Sequence, residues 1–71
     1  MDPYEKLANA IVLQAAKDYR TALKRVARHP KDRDVLAAKN ECERFFRSGW
    51  FGILTEIDSE MLMRKLQMEV Q

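Results

Sequence analysis

Residues 8–16 read Ala-Asn-Ala-Ile-Val-Leu-Gln-Ala-Ala, and this run decides how the chain folds. It lies within residues 3–28, a stretch of good helix formers without glycine and without proline after its first position. A helix that is apolar around most of its circumference must be covered from several sides. A chain of 71 residues offers few such sides. The run therefore predicts a helical core together with a surface that needs a partner, such as a second copy of the chain.

The residues that flank this run set the ends of a long first helix. Asp2 has the character of an N-cap, Pro3 suits the first helical position, and Glu5 follows the cap by three residues. Pro30 ends the helix, because the residue before a proline avoids the helical conformation. We therefore expect the first helix to cover about residues 3–28.

The rest of the chain predicts three further helices. The second covers about residues 32–47 and runs antiparallel to the first, because the connection between them is short. Ser48 starts a short apolar helix over about residues 49–56, and Asp58 caps a last helix over about residues 59–70. The sequence thus predicts one all-α domain, a long antiparallel helical hairpin with two short C-terminal helices folded across it.

Helical spacing divides the apolar side chains into a predicted core and a predicted subunit interface. Six side chains of the first helix are expected to face the second: Tyr4, Ala8, Ile11, Ala15, Ala22 and Val26. Five later side chains are expected to close the core: Trp50, Phe51, Leu54, Leu62 and Leu66. Three others lie well around the first helix and are expected to form the interface: Val12, Leu13 and Ala16. The alternative is that the short helices cover these three.

The numbers of cysteine and histidine residues exclude two features that commonly stabilise small domains, an internal disulfide and a structural zinc site. Cys42 is the single cysteine, so no internal disulfide can form, and His29 with Cys42 cannot supply the four ligands of a structural zinc site. A lone thiol suits a reducing compartment, which favours the cytoplasm. The longest uncharged run, residues 7–16, is far short of the roughly 20 residues that span a bilayer. We expect no membrane segment, no targeting segment, no metal and no cofactor.

The charge is unevenly spread although the net charge is only +2. Residues 17–33 hold seven Lys and Arg against two Asp. Guanidinium groups suit phosphate oxygens, and aromatic rings stack on nucleobases. The basic ridge of the first helix consists of three residues at four-residue steps, Arg20, Lys24 and Arg28. The predicted ligand-binding residues are Tyr19, Arg20, Lys24, Arg28, Arg44, Arg47 and Trp50. The alternative is a solvated basic surface that only keeps the protein soluble.

Other kinds of site find less support. A helix-turn-helix over residues 35–58 would present an apolar second helix to the major groove, without the Arg, Asn or Gln that read bases. Asp58 lies near other carboxylates but is needed as a helix cap, and His29 precedes a proline in a loop. Cys42 falls on the apolar stripe of the second helix. We therefore expect no enzyme activity and no catalytic residue.

One segment resembles a known family. Residues 42–51 read Cys-Glu-Arg-Phe-Phe-Arg-Ser-Gly-Trp-Phe and are followed by Leu-Thr-Glu-Ile-Asp at 54–58 and Leu-Met-Arg-Lys-Leu at 62–66. This pattern resembles short helical phage and prophage proteins of low-GC Gram-positive bacteria, and the opening residues 4–11 fit as well. Ser59 stands where that family more often has glycine. The family has no settled activity, so the resemblance implies no catalytic residues.

The resemblance implies a viral protein that acts by binding within the cytoplasm of a bacterial host. Combined with the basic ridge, it leads us to expect a homo-oligomer that sequesters a small anionic ligand, foremost a nucleotide signal of bacterial immunity, as an anti-defence sponge. The alternative is an adaptor or inhibitor that binds a host protein or a nucleic acid through the basic ridge. A structural role in the virion is a third possibility.

Overall fold

The computed structural model describes residues 2–70, and four α-helices account for most of them. Helix α1 covers Pro3–Arg28, α2 Arg33–Phe46, α3 Gly49–Leu54 and α4 Ser59–Val70. The prediction of an all-α hairpin with two short C-terminal helices is confirmed. Helix α1 packs against each of the other three, and the molecule measures 42 × 20 × 17 Å.

Local capping explains where three of the helices begin. The Asp2 carboxylate accepts a hydrogen bond of 2.9 Å from the backbone N–H of Tyr4, and Asp32 accepts one of 2.9 Å from Asp34. Asp58 accepts one of 3.0 Å from Glu60 and so starts α4. Each bond satisfies a donor that the first helical turn leaves unpaired.

The start of α3 differs from its expected form. Ser48 occupies the N-cap position, but its hydroxyl donates to the carbonyl oxygen of Phe45 at 2.6 Å and makes no cap bond to α3. Helix α3 ends at Leu54, two residues before the predicted end. The Thr55 hydroxyl accepts a hydrogen bond of 3.2 Å from the backbone N–H of Ile57, which holds the chain in a turn there.

The core is an aromatic cluster at the meeting point of all four helices. Tyr19 of α1, Phe46 of α2 and Met63 of α4 are its largest fully buried side chains. The ring of Phe46 lies 5.4 Å from that of Tyr19 and 5.3 Å from that of Phe51 on α3, measured between ring centroids. These tilted and edge-on contacts are the arrangements that aromatic rings prefer.

Two of the three predicted interface residues on α1 pack inside the subunit. Val12 is only 7% exposed and belongs to the core, and Ala16 packs against that core. The reason is helical spacing, since Val12 lies seven residues before Tyr19 and shares its inward face. Leu13 is turned about 100° from Val12 and remains 62% exposed.

Three apolar residues expected inside the molecule are exposed: Trp50, Tyr4 and, at 38%, Ile11. Trp50 was predicted to close the core, but it is 71% exposed, because the short α3 turns Phe51 inward and carries its neighbour away. Tyr4 was predicted to face α2 and is 81% exposed. It lies at the far N-terminal end of α1, which the other helices leave uncovered.

Candidate functional site

Tyr19, a predicted ligand-binding residue, is buried and holds the helices together. Its side chain is completely buried, so neither face of its ring is open to stack on a nucleobase. The Tyr19 hydroxyl donates to Oε2 of Glu43 on α2 at 2.8 Å and accepts from Nε2 of Gln67 on α4 at 2.8 Å. The sequence did not reveal this role, because the two partners lie 24 and 48 residues away.

The network around Tyr19 shifts the pKa of both of its acidic members. Burial, reinforced by the carboxylate of Glu43, raises the pKa of Tyr19 to about 12. For Glu43, burial alone would raise the pKa. Hydrogen bonds from Tyr19 and Lys39 and the charges of Lys39 and Arg47 outweigh it, so the pKa falls below its ordinary value. Glu43 therefore stays ionised, and its negative charge partly neutralises the positive charges of Lys39 and Arg47.

Carboxylates already pair two of the predicted ligand-binding arginines. Nε of Arg20 lies 2.9 Å from Oε2 of Glu69, an ion pair that ties α1 to α4. Nε of Arg47 lies 3.2 Å from Oε1 of Glu60, and its Nη1 lies 3.9 Å from Oε1 of Glu43. Both guanidinium groups are partly exposed, so each keeps N–H groups that a ligand can reach.

The other two members of the basic ridge, Lys24 and Arg28, are exposed on α1. Lys17 lies seven residues before Lys24 and therefore on the same side of the helix. Within residues 2–70, no carboxylate oxygen comes within 4.0 Å of these three cationic groups. They present uncompensated positive charge along about three turns of α1.

Arg44 and Trp50 are the predicted ligand residues that the structure brings together. Both line one open cavity of about 660 Å³, here named the Arg44–Trp50 cavity. Its other walls are mainly apolar: Ile11, Phe45 and Leu54, with Ser48 and Glu41 at the edge. Arg44 also borders an adjoining recess of about 560 Å³ that includes Arg47. An exposed aromatic ring and two guanidinium groups thus lie along one side of the molecule.

Sequence reasoning missed one further cavity, which is larger than the Arg44–Trp50 cavity. An apolar groove of about 900 Å³ runs between the N-terminal half of α1 and the α3 segment. Its apolar walls are Tyr4, Leu7, Ala8, Ile11, Ile53, Leu54 and Ile57. The charged residues along it are Glu5 and Glu56, both acidic. The sequence does contain a pattern that indicates this groove, because Tyr4, Leu7 and Ile11 follow one another at intervals of three and four residues. Tyr4 and Ile11 were instead predicted to contact α2.

Cys42 and His29, two other residues considered from the sequence, lie away from these cavities or pack against the core. Cys42 is half-buried against the core, and burial, with the nearby carboxylates of Asp18, Glu41 and Glu43, raises the pKa of its thiol. His29 forms the C-cap of α1, where its backbone N–H donates to the carbonyl oxygen of Arg25 at 2.8 Å.

In residues 2–70, no three His, Cys, Asp or Glu side chains are grouped closely enough to hold a metal ion. Every helix in that part of the chain is too short or too polar to cross a lipid bilayer. No family model, curated protein or solved structure matches this sequence.

Proposed function

We propose that this protein is a non-enzymatic binding protein that acts as a homo-oligomer and sequesters a small anionic ligand with a flat ring. A nucleotide signal of bacterial immunity is the first candidate, with the phage-type resemblance as its context. The observation that carries the proposal is the Arg44–Trp50 cavity. It combines an exposed indole, an exposed guanidinium group and an apolar floor in one place.

The two named residues divide the work of recognition. Trp50 is 71% exposed and offers its ring to a base, a stacking contact worth about 1–3 kcal/mol. Arg44 forms no ion pair within residues 2–70, so its planar fork is free for phosphate oxygens. Arg47 borders the adjoining recess and adds positive charge there, although its ion pair with Glu60 neutralises part of that charge.

Assembly is part of the proposal because one subunit leaves this cavity open on one side. High affinity for a small ligand requires that most of its surface be buried. A second subunit over the exposed Trp50 would supply the missing wall. Sequestration needs no chemical step, which suits a chain in which Asp58 caps α4 and Cys42 packs against the core.

Isothermal titration calorimetry tests the ligand directly. Cyclic dinucleotides, cyclic trinucleotides and ADP-ribose derivatives form the panel, and we expect at least one of them to bind. Arg44→Ala and Trp50→Ala should each weaken that binding tenfold or more. Arg64→Ala is the matched control, because Arg64 is an exposed arginine of α4 outside the Arg44–Trp50 cavity. A folded oligomer that gives no heat with any member of the panel would refute the proposal.

A second candidate function rests on Lys17, Lys24 and Arg28. Their uncompensated charge on one side of α1 suits a phosphate backbone or an acidic protein surface. Duplex DNA is the probe for this alternative. Binding that weakens steeply as salt rises, and that Lys24→Ala and Arg28→Ala reduce, would favour an adaptor or inhibitor role over the small-ligand role.

A further inference from the structure

The apolar groove between α1 and α3 has no function in the ligand site. We propose that a second copy of the chain occupies it, as an antiparallel two-fold dimer in which α1 of each copy lies in the groove of the other. This inference rests on the assembly part of the proposed function and names the surface responsible. It does not depend on which ligand is bound.

The groove brings together four exposed apolar side chains. Tyr4 is 81% exposed, Leu7 60%, Ile53 77% and Ile57 54%, and all four line the same groove. Single exposed apolar residues are common on protein surfaces, but a contiguous apolar patch marks an interaction site. The groove therefore has the composition of an interface core.

The exposed area is the right size for a dimer. The subunit exposes 5698 Å². A compact monomer of 8.3 kDa exposes about 4,600 Å², so the subunit shows about 1,100 Å² in excess. A standard interface buries about 800 Å² on each partner. The excess of the subunit as a whole is thus larger than the area that one partner of a standard dimer buries.

The shape of the chain provides both the groove and the ridge that fills it. Tyr4, Leu7 and Ile11 follow one another at three and four residues and form a ridge along α1 that is also one wall of the groove. An interface with two-fold symmetry must be self-complementary, so a ridge beside a groove on one surface satisfies it. Docking a helix ridge into an apolar groove is a recurrent mode of recognition.

Charge favours the antiparallel orientation. The groove carries Glu5 and Glu56 and no basic residue. The C-terminal half of α1, residues 17–28, carries five Lys and Arg against one Asp. When the ridges of two copies pack antiparallel, the two basic halves of α1 point away from each other, beyond opposite ends of the interface. A parallel arrangement would place the two basic halves side by side, where like charges repel.

The dimer also bears on the ligand site. Ile11 and Leu54 line both the apolar groove and the Arg44–Trp50 cavity. A partner seated in the groove therefore reaches the edge of that cavity and supplies part of the wall that a single subunit lacks.

Two leucines of α1 provide a matched test. Leu7 is 60% exposed and lines the groove, whereas Leu13 is 62% exposed and lies outside it. Sedimentation equilibrium should give twice the chain mass for the wild type and for Leu13→Lys. It should give the chain mass for Leu7→Lys and for Ile53→Lys on the opposite wall, with at least a tenfold weaker association. Circular dichroism confirms that each variant is folded, and two variants on separate helices guard against a local loss of helix.

Each other outcome overturns the inference in a distinguishable way. A wild type that stays monomeric at millimolar concentration refutes both the groove dimer and the assembly part of the proposed function. An oligomer that persists in both Leu7→Lys and Ile53→Lys refutes only the groove. An oligomer lost in Leu13→Lys and kept in Leu7→Lys moves the interface to the other side of α1. Calorimetry with the nucleotide panel reports on the ligand independently of all three.

Discussion

Replacing Tyr19 by phenylalanine isolates the hydrogen bonds that join three helices. The ring and its contact with Phe46 remain, and only the hydroxyl is removed. That hydroxyl donates to Glu43 and accepts from Gln67, each at 2.8 Å. The variant therefore tests whether the polar network at the centre of the molecule contributes to stability.

The expected cost follows from the state of each partner. A hydrogen bond to a charged group contributes about 1.5–3 kcal/mol, and an orphaned amide adds a smaller penalty. Glu43 is not left alone, because Nζ of Lys39 lies 3.0 Å from its Oε2. We therefore expect Tyr19→Phe to lower the free energy of unfolding by about 2 kcal/mol. In a domain of this size, this lowers Tm by about 8–16 °C.

Thermal and urea denaturation followed by circular dichroism measure the effect. Tyr4→Phe, compared with the wild type in dilute protein where the chain is monomeric, is the matched control, since Tyr4 is 81% exposed in the subunit and its change should stay within about 0.5 kcal/mol. In a double-mutant cycle, Tyr19→Phe and Glu43→Gln should be non-additive by about 1 kcal/mol or more. If Tyr19→Phe is as stable as the control, the network contributes nothing and the reasoning fails.

Three further predictions concern stability. The pKa of Tyr19 rises to about 12 from 10.0, so the folded state keeps a proton that the unfolded state loses. Stability should therefore fall between pH 10 and 12 by about 1.4 kcal/mol per pH unit, and urea titrations should show a smaller fall in Tyr19→Phe. Asp32→Ala removes the N-cap of α2 and should cost about 1 kcal/mol in urea denaturation, while Asp32→Asn should cost less. A methyl group at Gly52 of α3 would meet no atom within 4 Å, so Gly52→Ala should raise the free energy of unfolding by about 0.5–1 kcal/mol, and a loss would contradict the open space around it.

The sequence predicted best those features that depend on residues close together in the chain, such as the starts of helices. Asp2 and Asp58 begin their helices as expected, because an N-cap depends on the few residues that follow it. It predicted poorly which sides of α1 would be covered. Val12 and Tyr19 repeat at seven residues and are buried, whereas Tyr4 and Ile11 repeat at the same interval and are exposed. The difference depends on where α3 and α4 pack, which periodicity along α1 cannot specify.

The candidate site was predictable to a similar extent. Arg44 and Trp50 were both selected from the sequence, and they line one cavity because the turn at Ser48 brings the end of α2 beside α3. Tyr19 was selected for the same aromatic character as Trp50 and is buried. Residue type shows what a side chain can do, but burial decides which of those roles remains open to it.

The small core leads to a last prediction, which links assembly to stability. Eight side chains are buried in residues 2–70, and a core of that size rarely supplies more than about 3–5 kcal/mol. A partner that binds only the folded chain stabilises it by mass action, so Tm becomes dependent on concentration. If the apolar groove binds a second copy, the Tm of the wild type should rise over a hundredfold increase in concentration.

The same variants separate this effect from the intrinsic stability of the subunit. Leu7→Lys should show a Tm that does not change with concentration and equals that of the dilute wild type. Leu13→Lys should follow the wild type, because its side chain lies outside the groove. A wild-type Tm that is constant from micromolar to millimolar concentration, measured by differential scanning calorimetry, would show that the subunit is stable alone. The exposed residues of the groove would then need a different explanation.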